Sequence, residues 1–80
     1  MTRADLIVAA VKQGLQFYRW GMCYVIKRGS GNDAPHVVLY DVHILQDGTY
    51  SYPGHIRRSD DPRHRNITVT EAARFLGLDQ

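Results

Sequence analysis

A single cysteine, three prolines and no apolar run longer than Leu6 to Val11 limit this 80-residue chain before any motif is sought. With Cys23 alone there is no internal disulfide and no thiolate zinc cage. Leu6 to Val11 falls far short of the roughly 20 apolar residues that cross a bilayer, so no membrane association is expected. The opening residues Met1-Thr2-Arg3-Ala4-Asp5 lack the charged-then-apolar layout of a signal peptide, which points to a reducing cytosol. Acid is not in excess either: eight carboxylates stand against ten basic residues, for a formal net charge of +2.

A chain of 80 residues holds one core, because it buries only roughly 60% of the surface that its unfolded form exposes. Its 44% apolar and 22% charged residues are the mix of a globular protein, so residues 1–80 are expected to fold as one domain without a partner. Basic residues gather in two places: Lys27 and Arg28, then Arg57, Arg58, Arg63 and Arg65. Clustered like charge draws an anionic partner over about a Debye length, ~8 Å in physiological salt.

Thr2 followed by Asp5 predicts a capped helix over about 3–14, with Ile7, Ala10, Val11, Gly14 and Tyr18 at helical spacing and Gly14 either inside it or closing it. From Phe17 to Arg28 aromatic and β-branched residues alternate as in a strand, Tyr18, Trp20, Met22, Tyr24 and Ile26 against Phe17, Arg19, Gly21, Cys23 and Val25. Residues 29–35 are turn formers. His36 to Leu45 and Tyr50 to Ile56 read as a hairpin across Asp47-Gly48. A two-residue loop would set Leu45 against Tyr50 and His43 against Tyr52, leaving Val38, Tyr40, Val42 and Ile44 on the aliphatic side, and a bulge would shift this by one residue. Residues 57–66 are polar, and Thr68 with Glu71 forms a capping box before a short helix with Val69, Ala72, Phe75 and Leu76 on its apolar face and Gly77 at its end. The expected fold is α+β: a helix, a three-stranded antiparallel meander and a short C-terminal helix, with the other sheet face carrying His43, Tyr50 and Tyr52.

Patterns for catalysis are sparse. Cys23, His43 and Asp41 could adjoin as nucleophile, base and orienter, yet a small buried hydrophobe and a polar strand face explain them as well. The histidines His36, His43, His55 and His64 lack zinc-site spacing, and Gly29-Ser30-Gly31 is not followed by a phosphate-binding helix, so no metal and no cofactor is expected. The combination that stands out is Arg57, Arg58, Arg63 and Arg65 near Tyr50 and Tyr52, with Lys27 and Arg28 at a strand end. Such a set suits a nucleic-acid backbone and its bases or, equally, carboxylates on a protein. It also suits a small core with a wet rim.

Ile67 to Leu78, ITVTEAARFLGL, resembles the opening helix of excisionase or MerR-type winged-helix domains, but no recognition helix follows it here. Taken whole, and chiefly on Val37 to Arg58, VVLYDVHILQDGTYSYPGHIRR, the chain resembles small anti-CRISPR proteins of phages and mobile elements, most closely inhibitors of type I-C systems. Many of these are acidic DNA mimics, and this chain is basic. The resemblance therefore implies a non-enzymatic inhibitor in the bacterial cytoplasm that binds the surveillance complex at its Cas7 backbone and blocks the path of target DNA, and the sequence does not give the oligomeric state, with a monomer favoured. It implies Lys27, Arg28 and the arginines of 57–65 as contacts. A phage nucleic-acid-binding protein, using a tyrosine-bearing sheet face and the basic loop, is the alternative.

Overall fold

The computed structural model describes residues 1–40 and 55–78, and the backbone of 43–44 and 50–51. It is an α+β fold: helix α1 (Arg3–Lys12), strands β1 (Gln16–Trp20), β2 (Cys23–Lys27), β3 (His36–Tyr40), β4 (His43–Ile44), β5 (Tyr50–Ser51) and β6 (Ile56–Arg58), then helix α2 (Val69–Phe75). The main sheet has four strands rather than the expected three, in the order β1-β2-β3-β6, all antiparallel, and β4 pairs with β5 in a separate ladder.

The extra strand comes from a turn inside the stretch read as one strand. Gly21 takes φ +60° while Met22 stays at negative φ, so these two residues form a tight reversal of the II′ kind, and Trp20 pairs with Cys23. Side-chain direction reverses with the chain. Phe17, Arg19, Tyr24 and Ile26 share one face, and Tyr18, Trp20, Cys23 and Val25 share the other.

Register corrects two further expectations. Val37 and Leu39, not Val38 and Tyr40, face the helices, opposite Ile26 and Tyr24 on one side and Arg58 and Ile56 on the other. In the β4-β5 ladder His43 pairs with Ser51 and Ile44 with Tyr50, one residue from the expected pairing. Tyr52 and the Asp47-Gly48 turn lie outside the described residues.

The core forms where the two helices cover that face. Leu6 and Ala10 of α1, Leu15, Ile26, Val37, Leu39, Ile56, Ile67, Ala72, Ala73, Leu76 and Leu78 pack as one buried cluster. Val11, expected on the buried side of α1, is 56% exposed, because the helix turns its Leu6-Ala10 ridge inward instead.

Helix α1 starts as the sequence predicts, with Thr2 and Asp5 exchanging hydrogen bonds in a capping box. It is shorter than predicted, because Gly14 at φ +80° ends it: Gly14 N–H donates to Val11 O and Leu15 N–H to Ala10 O. The same closure ends α2, with Gly77 N–H on Arg74 O and Leu78 N–H on Ala73 O. At the start of α2 Thr68 Oγ1 accepts from Glu71 N–H, but the Glu71 carboxylate turns to Arg58 rather than completing a capping box. Among the described residues no helix is long and apolar enough to cross a membrane.

Candidate partner-binding face

The sheet face opposite the helices is ordered by register into cross-strand rows. The central row is Tyr18, Val25, Val38 and Arg57. Toward the Gly21-Met22 turn the next row is Trp20, Cys23 and Tyr40, with His55 accepting the Tyr40 N–H at its carbonyl. Toward the other end stand Gln16, Lys27 and His36, whose N–H donates to Ser59 Oγ. Val25 and Val38 are buried at the floor of this face although neither belongs to the helix-covered core cluster. Around them Tyr18, Trp20 and Met22 are exposed, Trp20 at 65%.

Arg57 is the charged group of the central row. Its guanidinium carbon lies 4.9 Å from the centroid of the Tyr40 ring, a cation–π contact. The His55 ring meets the same tyrosine edge-on at 5.8 Å. Burial, and then the Arg57 charge, push the His55 imidazole below its usual range, with a smaller opposing effect from the His64 backbone. The Arg57 Nε is itself buried and finds no hydrogen-bond acceptor among the described residues. A buried donor without an acceptor is costly, so this nitrogen contributes nothing favourable to the fold.

The other basic residues singled out from the sequence do not join it on one surface. Arg28 reaches across to α2, where its Nε donates to Leu76 O at 2.6 Å and its guanidinium lies against Gly77. Arg58, next to Arg57 in the chain, points to the helix face: Nε and Nη2 grip both oxygens of Asp60, Nη1 reaches Glu71 at 3.4 Å, and the group stacks 4.4 Å from the Phe75 centroid. Its partner Asp60 is held below the usual carboxylate range chiefly by that hydrogen bond.

Arg65 pairs with Asp61 at 2.9 Å, and the same carboxylate accepts the Arg63 N–H. These two bonds, the backbone one first, lower the Asp61 pKa and hold the 59–66 loop, in which His64 takes φ +54°. The Arg63 side chain is exposed. Lys27 stands half-buried on the open face. The side chain of Tyr50 is not among those described.

Of the residues singled out from the sequence, Arg57 and Lys27 lie on this face, and Tyr18, Trp20 and Tyr40, which share it, were not singled out with them. The available signal was Trp20-Gly21-Met22: glycine before a free residue, between alternating stretches, marks a tight hairpin and reverses the parity of everything before it. As for catalysis, Asp41 lies outside the described residues, and Cys23 sits between Trp20 and Tyr40 in its row. Among the described residues no group of three or more histidine, cysteine or acidic side chains is placed to hold a metal. Comparison with protein families, with curated proteins and with solved structures finds no match for this chain.

Proposed function

We propose that this chain is a non-enzymatic binding protein of the bacterial cytoplasm that holds a protein partner against the open face of its sheet. The partner is a type I-C CRISPR surveillance complex, contacted at its Cas7 backbone, and the bound chain obstructs the path by which target DNA reaches the guide. The identity of the partner rests on the resemblance of residues 37–58 to anti-CRISPR proteins.

The observation that carries the binding face is Arg57: a guanidinium laid on Tyr40, on the same sheet face as the exposed Trp20 of the opposite edge strand. Tryptophan, tyrosine, methionine and arginine are the residue types enriched at protein interfaces and their hot spots. Trp20, Tyr18 and Arg57 stand on one face of the sheet, and Met22, in the turn after Trp20, is exposed.

The second reading is nucleic-acid binding, favoured by three rings, Tyr18, Trp20 and Tyr40, sharing a face with Lys27 and Arg57. Its weakness is electrostatic. Affinity for a phosphate backbone grows with the number of cations free to meet it. Here Arg28, Arg58 and Arg65 are engaged by Leu76 O, Asp60, Glu71 and Asp61.

A pull-down against the reconstituted surveillance complex, with free single- and double-stranded DNA in parallel at about 150 mM salt, where non-specific binding is already weakened, separates the readings. Retention by the complex alone supports the inhibitor. Retention by DNA alone replaces it with the nucleic-acid protein.

A further inference from the structure

The two edges of the main sheet are treated differently. At β6 the chain closes its own edge: Ile56 N–H donates to Asn66 Oδ1 at 2.8 Å and Ile56 O accepts from Ile67 N–H at 2.8 Å. At β1 nothing comparable is found among the described residues, and all five residues, Gln16 to Trp20, are exposed. The tight turn makes Trp20 and Cys23 a hydrogen-bonded pair, so by alternation Tyr18 and Gln16 also face β2, whereas the N–H and C=O groups of Phe17 and Arg19 point out from the edge. This strand has no proline, lysine or bulge, and Arg19 is its one charged residue.

We propose that the β1 edge pairs with the β1 edge of a second copy of this chain, antiparallel and about a two-fold axis at Tyr18. The occupant follows from the strand's own complementarity. Centred on Tyr18, the pairing sets Phe17 opposite the second copy's Arg19, and each such pair exchanges both of its outward backbone hydrogen bonds. On the helix side of the sheet every guanidinium then meets a phenyl ring, an attractive cation–π pair. On the open side the two Tyr18 rings meet at the axis, and Gln16 lies across from Trp20. No like charges face each other in this register, whereas a shift by one residue in either direction loses the hydrogen-bond match. The two open faces become one continuous sheet with Tyr18 and Trp20 of both copies at its centre. This pairing concerns the strand edge and does not depend on which partner the open face takes.

The test is the molar mass of the intact chain by light scattering or sedimentation over a broad concentration series. Wild type rises toward twice the chain mass as concentration increases. Phe17→Lys places like charges across the pair and stays monomeric, whereas Phe17→Glu places opposite charges and remains dimeric at lower concentrations than wild type, an advantage that added salt removes. Both variants lose the stacking of Phe17 on Tyr24, so their difference reports the contact between copies alone. Arg19→Pro removes an outward N–H that the fold itself does not use, and yields a folded monomer. Wild type that stays monomeric at its highest concentration, or a folded Arg19→Pro chain that still dimerises, or equal association of the two Phe17 variants, overturns the proposal.

Discussion

Arg57 and Arg58 are neighbours in the chain and lie on opposite faces of the sheet, the first over the ring of Tyr40 at 4.9 Å and the second over the ring of Phe75 at 4.4 Å. Strand alternation alone separates them, and it separates their roles. Arg58 ties β6 to α2 through Asp60, Glu71 and Phe75, while Arg57 stays on the face without helices.

Replacing Arg58 by Ala should therefore lower the thermal midpoint, by roughly 4–8 °C for a loss of about 1 kcal/mol from the aromatic contact and its packing. Arg57→Ala should leave the midpoint close to wild type, since the lost contact with Tyr40 is offset by removal of a buried nitrogen that has no acceptor among the described residues. Calorimetry of the two variants side by side checks this, and a larger loss from Arg57→Ala would contradict the assignment.

Gly77→Ala is expected to destabilise more than Gly14→Ala. Both glycines have positive φ, +74° and +80°, so either alanine carries a strain of about 1–2 kcal/mol. At Gly14 a Cβ meets nothing, but at Gly77 it comes 3.3 Å from Arg28 Nη2 and disturbs the guanidinium that caps α2 at Leu76 O. Denaturant midpoints of the two variants, with Arg28→Ala as the reference for loss of the cap, provide the comparison.

Acid should weaken the fold in two stages. His55 is held below its ordinary value of 6.5, so the unfolded chain takes up this proton first. Stability from the neutral imidazole is complete above 6.5 and is lost as pH falls from there through the lower folded value. Asp5, Asp60 and Asp61 are also depressed, from 3.8, and their contribution is lost only as pH falls below that value. His55→Gln should remove the upper stage and leave the lower one, as read from unfolding free energy against pH.

The elements that local chemistry specifies were legible in the sequence. Thr2 and Asp5 start α1, Thr68 starts α2, and Gly77 ends it, because capping needs only residues a turn apart. The parity of the strands was not legible. Val37-Val38-Leu39 is apolar at every position, so nothing in it tells which residues face the helices, and a glycine turn at 21–22 within an unbroken alternation reversed the assignment of Tyr18 and Trp20. The basic cluster misled for a different reason. Arginines close in sequence read as one charged surface, but Asp60, Asp61 and Glu71 sit where they neutralise Arg58 and Arg65, and only the three-dimensional pairing reveals it.

The affinity of the surveillance complex for wild type, Arg57→Ala and Arg63→Ala, measured by the same titration, tests the binding face most directly. Arg57→Ala should bind more weakly by about 2 kcal/mol, roughly 30-fold, the loss expected at an interface hot spot, with its thermal midpoint retained. Arg63→Ala, which removes an exposed arginine of the 59–66 loop, should bind like wild type. Unchanged affinity for Arg57→Ala alongside a large loss for Arg63→Ala would move the contact to the 59–66 loop and contradict the account.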